Sequence, residues 1–285
     1  MPQRRPAWLQ KKTSLTDKAA IGRSGIAGHG LHTICEAGRC PNLSECCRAG
    51  NATFLIMGAI CTRNCGFCAV QHGKASALDP GEGDAIARTL AEMSIRYAII
   101  TSVTRDDLPD GGASHFARVV RDIRAALPAM SIELLVPDFG GKEDAVESVA
   151  ALPIQVFGHN LETVPSLYPL VRRGADYNRS LDVLRWARAA GSAMIKSGIM
   201  VGLGETSEDV ARLFDDLASA GVGILTIGQY LQPARENVPV ARYLHPEEFE
   251  TLAQEARDRG IPVAHAGPYV RSSYLAEALY RPRVG

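Results

Sequence analysis

All seven cysteines of this 285-residue chain fall in one window, from Cys35 to Cys68. Cysteines used as small core residues would be scattered. Clustered ones point to metal or disulfides, and an odd number suits a disulfide framework poorly. The window holds two triads, Cys35-x4-Cys40-x5-Cys46 and Cys61-x3-Cys65-x2-Cys68, with Cys47 left over as a small structural residue. Two triads of unlike spacing suggest two metal groups. Thiolates are soft ligands suited to iron–sulfur clusters. A cubane held by three cysteines, where four are usual, leaves one iron open to a small molecule. The alternative is a structural zinc site with nearby His72 as its fourth ligand.

The rest of the chain sets the frame. Six short apolar runs, at 52–58, 97–103, 132–136, 154–157, 194–203 and 224–230, read as buried strands. Helical faces separate or follow them: Ile86/Leu90/Met93, Phe116/Val119/Val120/Ile123/Leu127, 142–151, 180–190, Val210/Leu213/Phe214/Leu217 and Phe249/Leu252/Ala253/Ala256. This rhythm predicts an α/β fold with a parallel sheet covered by helices. Six units fit a partial (β/α)6 barrel better than a closed eight-stranded one. A doubly wound open sheet is the structural alternative. The predicted layout is an irregular N-terminal extension (1–50), the barrel (51–262) and a C-terminal extension (263–285). The second triad directly follows the first strand, at the strand end where barrel chemistry collects.

Lys+Arg and Asp+Glu both number 31, so bulk charge suggests neither nucleic acid nor a membrane surface. No apolar window is long enough for a transmembrane helix, and residues 1–12 lack the apolar stretch of a secretory signal. A cytoplasmic location is the expectation.

CxxxCxxC after the first strand, with Phe67 before the last cysteine, resembles the radical S-adenosylmethionine (SAM) superfamily. That resemblance implies that the open iron of a 4Fe–4S cluster on Cys61, Cys65 and Cys68 chelates SAM. One electron then cleaves SAM to methionine and a 5′-deoxyadenosyl radical. GLHTICEAGRCPNLSEC (30–46) resembles the N-terminal cluster motif of the lipoyl synthase family. The similarity continues through TSVTRDDLPDGGASHFA (101–117), HNLETVPSLYPLVRRGADYNRSLDVL (159–184), KSGIMVGLGET (196–206), GQYLQPARENVPVARYLHPEEF (228–249) and GPYVRSSY (267–274). It implies a second, auxiliary 4Fe–4S cluster on Cys35, Cys40 and Cys46, closed by Ser273 of the RSSY motif. A serine oxygen is a hard ligand, poorly matched to iron, and opens readily. It further implies removal of hydrogen from carbons six and eight of a protein-bound octanoyl-lysine, with both sulfurs drawn from the auxiliary cluster. The implied partners are octanoylated lipoyl carrier domains of 2-oxoacid dehydrogenase complexes, the glycine cleavage H protein, a flavodoxin or ferredoxin, and cluster-rebuilding proteins. Biotin synthases and methylthiotransferases lack this pairing of triad and RSSY tail. Gly158 and Leu275 depart from the family's usual residues, and neither is a cluster ligand.

Other positions keep two readings. Lys196, in an apolar strand, either anchors a carboxylate of SAM or reaches water from the strand end. Asn160 and Glu162 follow the fourth strand and either contact SAM or start a helix. Arg105, Asp106 and Asp107 either meet the methionyl end of SAM or form a surface salt-bridge loop. Gly202, Gly204 and Glu205 do not complete a dinucleotide fingerprint.

Overall fold

The computed structural model describes residues 5–10, 28–48, 53–191 and 193–280. β1 (His32–Thr33), α1 (Ile34–Ala37) and α2 (Leu43–Arg48) lead into β2 (Thr53–Ile56) and a short pair, β3 (Ile60–Cys61) and β4 (Gln71–His72). Strands and helices then alternate: α3 (Glu82–Glu92), β5 (Tyr97–Ser102), α4 (Ala113–Ala126), β6 (Ser131–Leu135), α5 (Glu143–Ala150) and β7 (Val156–Gly158). After α6 (Tyr168–Val171) and α7 (Tyr177–Ala190) come β8 (Met194–Val201), α8 (Ser207–Ser219), β9 (Ile224–Gln229), α9 (Pro246–Asp258), β10 (Val263–Gly267) and α10 (Ala276–Tyr280).

The large sheet has the order β1-β2-β5-β6-β7-β8-β9-β10, so its two edges do not meet and the barrel is open. β1 runs antiparallel to β2, and all other neighbours are parallel. All six strands expected from the apolar runs are present. β10 is an addition: Val263–Gly267 pairs with Ile224–Gly228, so the segment read as a C-terminal extension begins as barrel sheet. Its sequence, VAHAG, is half-buried throughout and carries no apolar run to announce it. Among the described residues no helix is long and apolar enough to cross a membrane.

The pleat sends alternate residues to opposite faces. On β5, Ala98 and Ile100 pack outward with Phe116, Val119 and Val120 of α4 in the main core. Burying each of the larger side chains contributes roughly 1.5–3 kcal/mol. Tyr97 and Ile99 point inward and meet Ala276 and Tyr280 of α10. The tail therefore packs against the inner face of the barrel. α7 and α8 begin where Asp176 and Thr206 accept the backbone N–H groups of Arg179 and Asp209, which fixes the loops before them.

Candidate active site

A cavity of about 570 Å³ opens at the C-terminal ends of the parallel strands. Its lining includes Cys61, Cys65 and Cys68 of one triad, Cys35 and Cys40 of the other, and Ser273. Cys46 is half-buried on α2 and is not in that lining; the side chain of Cys47 lies outside the described residues.

The Cys61–Cys68 loop starts from a strained bend. Met57 has φ 67°, in the left-handed region that a bulky side chain rarely adopts. Three groups hold it. The Met57 N–H donates to Glu82 Oε2 at 3.0 Å, that same oxygen lies 2.7 Å from His115 Nε2, and Arg105 Nη1 donates to the Met57 carbonyl at 3.4 Å. Beyond the bend, Arg63 clamps the loop to two others. Its guanidinium donates to both oxygens of Asp106 at 2.7 Å, and to Asp138 at 2.8 and 2.7 Å. Burial alone would raise Asp138, but the Arg63 hydrogen bonds and charge, with His159 and the Gly140 N–H, hold it at about 2. On the far side, Asn237 Nδ2 donates to the carbonyls of Gly66 and Cys68 at 3.2 and 2.9 Å. Gly66 is required there, since a Cβ would fall 2.5 Å from the Leu170 carbonyl.

The sulfurs suit a bound cluster. Cys61 Sγ accepts the backbone N–H of Arg63 at 3.4 Å and of Thr104 at 3.3 Å, and Cys68 Sγ accepts that of Val70 at 3.4 Å. Such donors stabilise charge on sulfur. Burial nevertheless pushes the Cys68 thiol up to about 12 against the Val70 hydrogen bond, and raises Cys65 against the charge of Arg172. Sulfurs buried this way carry charge only when a metal replaces the proton. Among the described residues no group of three or more His, Cys, Asp and Glu is arranged to hold one metal ion. A cubane makes a different demand, because its thiolates bind separate irons. His72, the expected fourth ligand of the zinc reading, is exposed on β4 and outside the cavity that the three cysteines line.

The other triad is closed on the tail. Thr33 caps α1 by accepting the Glu36 N–H, which sets Cys35 inward at 8% exposure. Asn42 Nδ2 donates to the Tyr269 carbonyl at 2.6 Å, and Tyr274 OH donates to Glu45 Oε1 at 2.9 Å. Tyr274 also stacks on His265, 6.3 Å between ring centres. These contacts bring the RSSY segment to the Cys35/Cys40 side of the cavity.

Between the triads lie Asn160 and Glu162, both lining the cavity as the strand-end reading expects. Glu162 is raised by burial, against the opposing charge of Arg172, the Asn160 hydrogen bond and the charge of Arg271. Those two arginines escape sequence reasoning. Arg172 Nη1 donates to the Asn160 carbonyl at 2.9 Å and to Tyr168 OH and Ser180 Oγ, each at 3.0 Å. Arg271 lines the same cavity, within electrostatic reach of Cys40 and Glu162. The only sequence signal for either is an arginine inside a motif: VRRG for one, RSSY for the other. His159 is also in the lining. Burial holds it down to about 4, and as a neutral imidazole its Nδ1–H donates to the Val136 carbonyl at 2.9 Å.

Two expectations are corrected. Lys196 neither lines the cavity nor reaches water. It is 2% exposed and its ammonium lies 2.7 Å from Glu133 Oε1, while Tyr97 OH donates to Glu133 Oε2 at 2.7 Å. The strand pleat turns it into the barrel below the cavity, where a buried charge demands a partner. Arg105, Asp106 and Asp107 also lie outside the lining. Arg105 pairs with Asp107 at 2.8 Å and Asp106 serves Arg63, so the loop positions other loops. The salt-bridge reading of this loop holds for its exposed carboxylates, Asp106 and Asp107, while Arg105 itself is buried, at 3% exposure.

An open parallel barrel with a CxxxCxxC loop after its first parallel strand defines a radical SAM protein, and the model of the Radical SAM superfamily matches residues 55–217. Solved structures of the same fold include the FeFe-hydrogenase maturase HydG (TM-score 0.58, 17% identity, 74% of this chain and 50% of that one) and methylornithine synthase (TM-score 0.52, 15% identity, 75% and 70%). The lipoyl synthase of Glaesserella parasuis is 50% identical over 277 residues, covering 96% of this chain and 87% of that protein. That of Nitratidesulfovibrio vulgaris is 47% identical over 275 residues, covering 96% and 92%. The chain belongs to the lipoyl synthase family.

Proposed function

We propose that this chain inserts two sulfur atoms at carbons six and eight of an octanoyl chain held in amide linkage on a lysine of a lipoyl carrier domain. This is the last step of lipoyl cofactor synthesis. The observation that carries the reading is the lining of one cavity by Cys61, Cys65 and Cys68 of one triad and Cys35 and Cys40 of the other, together with Ser273. Bound SAM and iron–sulfur clusters supply one-electron chemistry, which a saturated carbon needs because it offers no acidic proton or leaving group.

The protein's part is to hold, orient and exclude. Cys61, Cys65 and Cys68 would hold the cluster to which SAM binds. Cys35, Cys40, Cys46 and Ser273 would hold the auxiliary cluster, which would supply sulfur. Asn160 and Glu162 take polar groups of SAM. Leu55, Leu135, Ile199, Met200 and Leu231 give the cavity apolar walls suited to a hydrocarbon chain. Fixing both reactants in one half-enclosed space lowers the entropic barrier and keeps water out. The partners that follow are octanoylated domains of 2-oxoacid dehydrogenase complexes and the glycine cleavage H protein, a flavodoxin or ferredoxin as electron donor, and cluster-rebuilding proteins.

The test is anaerobic incubation with SAM, reductant and an octanoyl-lysyl peptide, followed by mass analysis. Wild-type protein yields the doubly thiolated peptide. Cys35→Ala cleaves SAM on the peptide without forming that product. Lipoyl product from Cys35→Ala would sink the auxiliary assignment.

A further inference from the structure

Ser272 stands next to the expected cluster ligand Ser273, yet its own hydroxyl is engaged elsewhere. Asn160 Nδ2 donates to Ser272 Oγ at 2.7 Å and to Glu162 Oε1 at 2.9 Å. The contact is tight. A Cβ on Gly198 would fall 2.8 Å from Ser272 Oγ, 2.9 Å from Asn160 Oδ1 and 2.7 Å from Thr226 Oγ1, so only glycine leaves the space. An amide is oriented by its hydrogen-bond network. With both Nδ2 hydrogens given to Glu162 and Ser272, the amide is locked with Oδ1 as its remaining acceptor. That oxygen is buried and makes no hydrogen bond. Arg271, one residue earlier, lies within electrostatic reach of Glu162 from the same segment. Two consecutive tail residues thus bear on the two polar groups assigned to SAM, and the next residue is Ser273.

We propose that Ser272 is a positioning residue that fixes the Asn160 amide for SAM and thereby couples occupancy of the SAM pocket to the tail segment carrying Ser273. The inference rests on the assignment of Asn160 to the SAM pocket. Coupling of this kind is reciprocal. Ser272 pre-orients the acceptor for SAM, and SAM bound at Asn160 tightens the segment through Ser272. The rigid hold on Ser273 then depends on whether SAM is present.

The experiment uses cluster-loaded protein under anaerobic conditions and needs no turnover. Hydrogen exchange of the 270–275 amides is measured with and without SAM, alongside SAM affinity by calorimetry. In wild-type protein SAM slows exchange of that segment. In Ser272→Ala the amide keeps only its Glu162 anchor, SAM affinity falls by about tenfold, and the SAM-dependent protection disappears. Asn160→Ala loses at least as much affinity. Wild-type exchange that ignores SAM overturns the coupling without any variant. Unchanged affinity in Ser272→Ala, while Asn160→Ala is weakened, overturns the role of Ser272 and leaves the pocket assignment standing. Unchanged affinity in Asn160→Ala overturns the pocket assignment itself and the proposal with it.

Discussion

Asn42 and Tyr269 are 227 residues apart in sequence, yet the Asn42 side chain donates to the Tyr269 carbonyl at 2.6 Å. Asn42 lies between Cys40 and Cys46 and is 1% exposed. This bond fastens the auxiliary triad to the tail that brings Ser273. Asn42→Ala removes this part-buried bond and is expected to cost about 0.5–1.5 kcal/mol. The variant should also lose iron selectively, from about eight per chain toward about four, with the Cys61/Cys65/Cys68 cluster retained. Denaturant unfolding and iron analysis check the two effects.

Arg63 makes four hydrogen bonds to two carboxylates. Arg63→Ala leaves Asp138 fully buried, with Arg179 at 3.3 Å as its remaining ion-pair partner among the described residues and the Gly140 N–H at 3.1 Å. A buried charge deprived of its main partner costs about 3–5 kcal/mol. Arg63→Lys should recover part of the loss, because an ammonium cannot reproduce a planar fork. Iron loss in these variants should fall on the Cys61/Cys65/Cys68 triad, the reverse of Asn42→Ala.

Acid should weaken the fold in two steps. His159 is held down to about 4 by burial, below its ordinary value of about 6.5. The folded state therefore binds fewer protons, and stability present above about 6.5 is lost as pH falls toward about 4, by ~3 kcal/mol. Asp138, held at about 2, contributes stability that persists above about 3.9 and is lost between there and about 2. His159→Gln should flatten the first step and move the second slightly up in pH, since the His159 charge helps hold Asp138 down. Denaturant unfolding across pH 7 to 3 reads both; an equal slope between 6.5 and 4 in the variant would contradict the assignment.

Lys196→Met tests the correction made above. Glu133 would keep its Tyr97 hydrogen bond but lose its counter-charge, with a stability cost of about 3–5 kcal/mol. SAM affinity at a temperature where the variant is folded should match wild type. A large loss of SAM affinity with little loss of stability would restore Lys196 to the pocket.

The sequence disclosed the features whose information is local. Six strands were legible because each is a near-continuous apolar run, and the triads because their members stand only three to six positions apart. Val263–Gly267 was not, since VAHAG is built of small, half-buried residues and gains its strand character only from pairing with β9. Lys196 was visible as an anomaly, but its partner Glu133 lies 63 residues earlier, on a strand not adjacent to its own. Arg63, Arg172 and Arg271 act through groups on other loops, and no spacing rule ties such residues together. The place of Asn160 and Glu162 on the cavity wall was legible because barrel topology makes strand ends predictable.

Closure of the auxiliary triad by the tail also sets an order of events at the ribosome. Cys35 emerges 238 residues before Ser273. At ordinary elongation rates that interval lasts roughly 10–50 s, during which Asn42 waits for Tyr269 and Glu45 for Tyr274. On the proposed assignment of Ser273 as the fourth ligand, loading of the auxiliary site would follow translation, and a message truncated before Arg271 would yield a protein that keeps the Cys61/Cys65/Cys68 triad but leaves the other one open.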